Sequence, residues 1–148
     1  MRLREVHAVY RPVAGAPAGP RPQVNTGRDA AGIISPLLAG SLVERFGVLT
    51  VDTKHRVIGW DVVSVGTLDA TIVHPRDVFR VALQQNAAAV IVAHNHPSGD
   101  PTFSADDETL TRRLQTAGEM MGIAVLDHVV IGDAGRYCSF KEQAVTRG

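Results

Sequence analysis

The sequence predicts an α/β domain in which a mixed β-sheet is flanked by helices. Apolar stretches of strand length alternate along the chain with segments of helical periodicity, which is the pattern of a layered α/β fold. One stretch, residues 87–93, is an uninterrupted apolar run, as expected for a strand buried on both faces. The length of 148 residues fits one domain, which would bury about two-thirds of the surface of its unfolded chain.

Two segments lie ahead of this domain. Residues 5–10 partly alternate between apolar and polar side chains and predict an edge strand. Residues 11–22 contain four of the eight prolines, together with Gly and Ala, which is typical of a loop or linker. We therefore divide the chain into an N-terminal strand with a Pro/Gly-rich loop, residues 1–25, and the α/β domain, residues 26–148.

The first half of the domain is predicted to hold a helix and a pair of strands. Thr26 stands three residues ahead of an acid, Asp29, which is typical of a helix start, and Pro36 should kink or split this helix. The apolar positions with helical spacing are Ile33, Ile34, Leu37, Leu38 and Leu42. Next come an antiparallel pair at 46–52 and 56–65 with a turn at 53–55, a break at 66–70 and a short extended piece at 71–73.

The second half begins with another helix. Pro75 is suited to the first position of this helix, and the side chains expected to point inward are Val78, Phe79, Val81, Ala82 and Leu83. After the strand at 87–93, a helix from Ser104 to about Met121 should end at Gly122. Its apolar stripe consists of Leu110, Leu114, Ala117 and Met121. Strands at 123–131 and 137–140 complete the prediction.

Two histidines follow the buried strand and indicate a metal site. Because side chains of a strand alternate between its faces, His94 and His96 point the same way and Asn95 points away. Their Cα atoms are then roughly 6.5 Å apart. Two imidazoles can close that distance onto one ion at about 2.0–2.1 Å.

A carboxylate completes the predicted ligand set. Pro97 ends the strand and a turn follows, so the helix that starts near Ser104 brings Asp107 back towards the histidines. Two imidazoles and one carboxylate make the three-ligand arrangement of catalytic zinc, which leaves one position for water. The water needs a general base, and the strongest upstream candidate is Glu44, an acid that follows the apolar pair Leu42-Val43. We therefore expect one Zn²⁺ per chain.

Composition argues against several other classes. Lys plus Arg equal Asp plus Glu at 15 each, so no overall charge draws the chain to DNA or to an anionic membrane. The single Cys138 excludes an internal disulfide and cysteine-rich zinc sites, and it fits a reducing cytoplasm. No apolar run approaches the roughly 18 residues of a membrane span, and no signal-peptide core follows the N-terminus. We expect a cytoplasmic protein without a membrane partner.

These motifs resemble a known family. The sequence is similar to the JAB/MPN metalloproteases, also called JAMM, whose pattern is an upstream Glu, then His-x-His-Pro, then Ser-x-x-Asp. The bacterial RadC-like branch of that family is most similar. The resemblance covers about residues 30–140 and is carried by HNHPSGDP at 94–101, SVGT at 64–67, VHPRDVFR at 73–80 and LDHVVIG at 126–132.

The resemblance implies a JAB/MPN-like fold and a hydrolytic site. Carried over to this chain, it implies metal ligands at His94, His96 and Asp107, a general acid/base at Glu44 and an oxyanion-stabilising hydroxyl at Ser104. The expected substrate is a peptide or isopeptide, whose identity the motifs do not give. Phe103 departs from the proline expected there, which should affect the stiffness of the loop more than the chemistry.

Other interpretations stay open. Ser104 and Asp107 also fit a helix cap, and Asp127 and His128 suggest either support of the ligands or an ordinary polar pair. His74 is more simply a residue at a helix start. At the level of function, the alternatives are a RadC-type factor associated with DNA repair or mobile elements, or an MPN-like module that binds protein without catalysis. The helix-hairpin-helix region of longer family members is not found ahead of the domain, and specific nucleic-acid binding is not expected. The oligomeric state cannot be predicted.

Overall fold

The structure, a computed structural model, describes residues 2–16, 18–66 and 73–146. The predicted break at 66–70 and extended piece at 71–73 therefore fall largely outside the described residues. Four helices and five strands occur in the described ranges: α1 Gly27–Leu38, β1 Arg45–Val51, β2 Val57–Val65, α2 Pro75–Gln84, β3 Ala89–Asn95, α3 Ala105–Met121, β4 Ala124–Ile131, β5 Tyr137–Ser139 and α4 Phe140–Thr146.

The strands form one mixed sheet in the order β2-β1-β3-β4-β5. The central strand β3 runs antiparallel to β1 and parallel to β4, and α3 provides the crossover between β3 and β4. Every residue of β3 is buried, which confirms the prediction of a strand covered on both faces. The predicted α/β class with a mixed sheet flanked by helices is confirmed.

Hydrophobic cores lie on both faces of the sheet. On the face covered by α2 and α3, Phe79 and Leu114 pack against Val90 and Val92 of β3. On the face covered by α1, Ile34 packs with Ile91 and with residues of β1 and β4. The alternation of β3 side chains thus divides the strand between the two cores, and the same alternation decides which face His94 joins.

The N-terminal edge strand predicted at residues 5–10 is not formed. These residues are exposed and have no strand partner within the described parts of the chain. The edge of the sheet at Val57 is covered instead by residues 22–24, because the amide of Val57 donates to Pro22 O at 2.9 Å and Gln23 bridges to Arg56. The edge position there is already taken by the residues just ahead of α1.

Several helical details differ from the prediction. Pro36 does not split α1, because it lies in the last turn and the helix ends two residues later. Leu42 therefore lies beyond the helix, 92% exposed. Leu83 of α2 and Met121 of α3 are also exposed rather than inward, since each falls in a last helical turn that extends past the edge of the core. The short helix α4 was not predicted.

Candidate metal centre

The site lies where the carboxyl end of β3 meets the first turn of α3. His94 is the next-to-last residue of β3, and His96 follows the strand directly. Asp107 is the third residue of α3, and the amide of His96 donates to Ile131 O of β4 at 3.0 Å. Parallel pairing of β3 with β4 therefore fixes the histidines, and the crossover returns the carboxylate to them.

The three side chains converge on one point. His94 Nε2 is 3.2 Å from Asp107 Oδ1, and His96 Nε2 is 3.4 Å from Asp107 Oδ2. The two Nε2 atoms are 3.0 Å apart. Two ligands of one tetrahedral zinc ion, each bound at about 2.0–2.1 Å, lie roughly 3.3 Å from each other, so these separations suit an ion of that size. In the described part of the chain this is the one group of three such side chains that could hold a metal ion.

The protonation of His96 also suits a metal ligand. Its Nδ1 lies 2.8 Å from the carbonyl oxygen of Asp100, which can only accept a hydrogen bond. The Nδ1 atom therefore carries the hydrogen, and in the neutral ring Nε2 presents a lone pair to His94 and Asp107. A lone pair and a carboxylate that face one point repel each other unless a cation lies between them. The donor set thus fits a divalent metal.

Asp107 and the two histidines also influence one another's ionisation. Burial raises the pKa of the Asp107 carboxyl, but the imidazoles of His94 and His96 beside it, which would donate to the carboxylate if protonated, lower it by more, so the pKa lies well below its ordinary value. The carboxylate of Asp107 in turn raises the pKa of His96 against the effect of burial. The Asp100 carbonyl and the negative charge of Glu44 act in the same direction on His96. Asp107 is therefore anionic, as a ligand must be.

Asp107 also caps its own helix. The Ser104 amide donates to Asp107 Oδ2 at 2.9 Å, and the Asp107 amide donates to Ser104 Oγ at 3.0 Å, which forms a capping box. Capping and contact with the histidines, which the sequence offered as rivals for Asp107, therefore occur together. Because Ser104 Oγ accepts in the box, its hydroxyl hydrogen can still be donated elsewhere.

Glu44 lies immediately ahead of β1, where the sequence placed it, and is partly buried. Its backbone carbonyl accepts from the amide of Gly66 at 2.8 Å. On either side of it, the Asn95 side chain accepts from the Arg45 amide at 2.8 Å and donates to Val43 O at 3.0 Å. Asn95, predicted only to point away from the histidines, thus holds the chain around Glu44.

Behind His94 lies a buried polar group. His94 Nδ1 is 2.8 Å from His128 Nε2, and His128 Nδ1 is 2.6 Å from Thr111 Oγ1. Phe46 stacks on His94 and meets His128 edge-on, and Phe103 also meets His128 edge-on. Burial lowers the pKa of His128 well below its ordinary value, so this ring is neutral. Phe103, where proline was expected, therefore packs directly against the polar group.

Asp127 and His74 are not part of this cluster. Asp127 Oδ1 accepts from the amide of Lys141 at 3.0 Å and Oδ2 accepts from the Ser139 hydroxyl at 2.5 Å, so it holds the start of α4. His74 is the N-cap residue of α2, without a capping side-chain bond. Of the pair weighed together in the sequence, only His128 contacts a proposed ligand. Thr111 was missed, and only its place one helical turn after Asp107 hinted at it.

An open groove of about 440 Å³ borders the site at His96. It runs between the end of α1 and the loop at residues 132–135, and Asn95, His96 and Pro97 are among the residues that line it. His96 can therefore be reached from solvent through this groove.

Within the described residues, none of the helices is long and apolar enough to cross a membrane.

Fold and site together define an α/β domain with a candidate metal centre at the carboxyl end of its central strand. A family model described as RadC-like JAB domain matches residues 24–145, and the chain belongs to this family. The family resemblance in the motifs is thereby confirmed.

Individual relatives agree with this assignment. A UPF0758 protein of Symbiobacterium thermophilum is 50% identical over 115 residues, which are 78% of this chain and 49% of the relative. A UPF0758 protein of Desulfitobacterium hafniense is 45% identical over 84% of this chain and 55% of its own length. One from Methanosarcina acetivorans is 38% identical over 99% of this chain and 69% of its own length. The chain thus spans about half the length of the first two relatives.

Proposed function

We propose that this chain is a zinc-dependent hydrolase of the metallopeptidase or isopeptidase type. The observation that carries the proposal is the convergence of His94 Nε2, His96 Nε2 and an anionic Asp107 carboxylate, with atoms that all lie within 4.8 Å of one another. Membership of the RadC-like JAB family supports it. In the proposal, one zinc ion per chain is held by these three residues.

The chain's own residues would divide the work of hydrolysis. A zinc ion bound here supplies Lewis acidity, which polarises a carbonyl oxygen and acidifies a water molecule. Glu44 takes a proton from the attacking water and returns it to the amine that leaves when the C–N bond breaks. The Ser104 hydroxyl, whose hydrogen is not used in the capping box, donates to the oxygen that becomes negative when water adds to the carbonyl. The products are a carboxylic acid and an amine.

Peptide and isopeptide substrates are favoured over DNA. The formal net charge is zero, so DNA affinity should be weak and non-specific, on the order of 10⁻⁴–10⁻⁶ M at physiological salt. Many nucleases use several carboxylates to hold two metal ions, whereas this site has one carboxylate ligand. A sequence- or structure-specific DNA complex in the nanomolar range would instead favour a role in repair or in mobile elements.

The experiment is metal analysis of the purified protein, followed by a screen of peptide and isopeptide substrates with and without a chelator. We expect one zinc per chain and hydrolysis that the chelator abolishes and added zinc restores. His94→Ala is expected to lose the metal. Equal zinc content in parent and variant would reject the ligand assignment. Stable zinc binding without any turnover would favour a binding module.

A further inference from the structure

A chain of hydrogen bonds runs from His94 away from the candidate metal centre and ends on the backbone of another ligand residue. It passes from His94 to His128, from His128 to Thr111, and from Thr111 Oγ1 to the carbonyl oxygen of Asp107 at 2.7 Å. His128 and Thr111 are 0% exposed and His94 is 1% exposed. If one of these hydrogen bonds is lost, bulk water therefore cannot replace the missing partner.

Counting hydrogens fixes the direction of every bond in this chain. The carbonyl of Asp107 can only accept, so the single hydroxyl hydrogen of Thr111 is donated to it. Thr111 Oγ1 must then accept from His128 Nδ1–H. His128 is 0% exposed, and among the described residues its ring nitrogens contact Thr111 and His94 but no carboxylate, so a charged ring would be buried without a counter-ion; the ring is neutral and Nε2 has a lone pair. That lone pair accepts from His94 Nδ1–H. His94 is left with a lone pair on Nε2, the atom that faces His96 and Asp107.

We propose that His128 and Thr111 are positioning residues that hold His94 in the Nδ1–H tautomer and so keep its Nε2 available to the metal. This inference rests on the proposed function only in naming a metal as the species that His94 binds. The Nδ1–H of His94 thus has a buried side chain, His128, as its acceptor, whereas the Nδ1–H of His96 has the backbone carbonyl of Asp100. Both rings face the cluster with a lone pair, and both orientations depend on the bond made by the other nitrogen.

The aromatic rings around His128 make this arrangement rigid. Phe46 lies 5.5 Å and Phe103 lies 5.2 Å from the centre of the His128 ring, both edge-on. A flip of the ring would have to displace them, and it would put ring carbons in place of the two nitrogens that now face His94 and Thr111. The packing of Phe46 and Phe103 on His128 thus helps to set the tautomer of His94, although neither phenylalanine is a proposed metal ligand.

The first test compares Thr111→Val with Thr111→Ser. Valine has nearly the shape of threonine but cannot accept from His128, so the His128 hydrogen moves to Nε2 and drives the hydrogen of His94 onto its metal-facing nitrogen. We expect zinc affinity to fall about 10–100-fold in Thr111→Val, the usual effect of losing such a partner, and to be retained in Thr111→Ser. Thr116→Val is the matched control, because Thr116 makes the same kind of bond to Arg112 O at 3.1 Å on the exposed side of α3.

The second test needs no variant. Nitrogen-15 NMR of the histidine rings in the metal-free parent, in mildly alkaline buffer, distinguishes the two neutral tautomers. We expect Nδ1–H for both His94 and His128. A hydrogen on Nε2 of His94, or parental zinc affinity in a folded Thr111→Val, would overturn the inference. Neither readout uses a substrate, so a parent that binds zinc but hydrolyses nothing rejects the proposed activity and leaves this result intact.

Discussion

Helices α1 and α3 begin with the same motif, yet only one of the two beginnings takes part in a candidate site. In each, a hydroxyl residue caps the helix, and the aspartate three residues later accepts from the backbone amide of the cap residue. At α1, Asp29 Oδ2 accepts from Thr26 at 3.2 Å and from Asn25 at 2.9 Å, and the side chain is exposed. At α3, the side chain of Asp107 is 12% exposed and contacts two histidines.

The difference shows that a capping box does not exclude a second use of its carboxylate. Both aspartates meet the local requirement of their helix with one oxygen. What Asp107 has in addition is supplied by the carboxyl end of β3, where His94 and the following His96 lie 3.2 and 3.4 Å from its carboxylate oxygens. The function of the motif therefore depends on its position in the tertiary structure and not on its four residues.

The largest expected effect comes from removing the negative charge of each box in turn. Asp107→Asn should lose zinc and with it turnover, because asparagine retains an oxygen for the cap but not the anionic ligand. Asp29→Asn should retain both. Zinc content and hydrolysis of the two variants test this directly. Equal zinc content in the two would mean that the boxes do not differ in the way proposed.

The second effect concerns Glu44, the acid ahead of β1 whose charge acts on His96. Glu44→Gln should retain zinc and the melting temperature of the parent, because the amide keeps the size of the side chain. It cannot take up a proton, so turnover should fall about 10²–10⁴-fold. The measurement is turnover at matched zinc occupancy. Turnover like that of the parent would direct the search to another acid near His94 and His96.

The third effect compares the two cap hydroxyls. Ser104→Ala and Thr26→Ala should each lower the free energy of unfolding by about 1 kcal/mol, since each box loses one hydrogen bond to a backbone amide. Only Ser104→Ala should also lower turnover, by about 10²–10³-fold, through loss of a donor to the oxyanion. Urea unfolding and kinetics on both variants separate the two roles. If the kinetics of both match the parent, Ser104 acts as a cap alone.

The smallest effect is on acid stability. A hydrogen bond from the backbone amide of Asn25 is the main cause that lowers the pKa of Asp29 below its ordinary value of 3.8; burial acts against it, and a hydrogen bond from the amide of Thr26 lowers the pKa further. Because the folded-state pKa is the lower one, Asp29 stabilises the fold above about pH 4, and this contribution is lost as the pH falls through the folded-state pKa. Asp29→Asn should therefore flatten the pH dependence of unfolding on the acid side. An unchanged slope would contradict the assignment.

Local patterns were sufficient for much of the fold. The apolar run ending at Ala93 predicted the buried central strand, and Ser104 and Gly122 marked the two ends of α3. Helix faces were less certain in their last turns, because periodicity gives the direction of a side chain but not where the core ends. The predicted inward orientation of Leu83 and Met121 was wrong for that reason. Residues 5–10 had a strand pattern, but near Val57 the edge of the sheet is paired with residues 22–24 instead.

The metal ligands could be proposed from spacing because strand alternation relates His94 to His96. The residues around them could not. The hydrogen bonds of Asn95 to Val43 and Arg45 join positions about 50 residues apart in the chain. That of His94 to His128 depends on the register of β3 with β4, which no local pattern specifies.

Asn95 has a mechanical consequence for the site. Its side chain is fastened to the backbone on both sides of Glu44, while the residues before and after it in the chain are the two histidines. The segment 94–96 therefore contains two proposed ligands and also holds the backbone on both sides of the proposed base. When thermal motion displaces this end of β3, the loop that carries Glu44 is carried along. Distances inside the site should then vary less than the position of the site within the molecule.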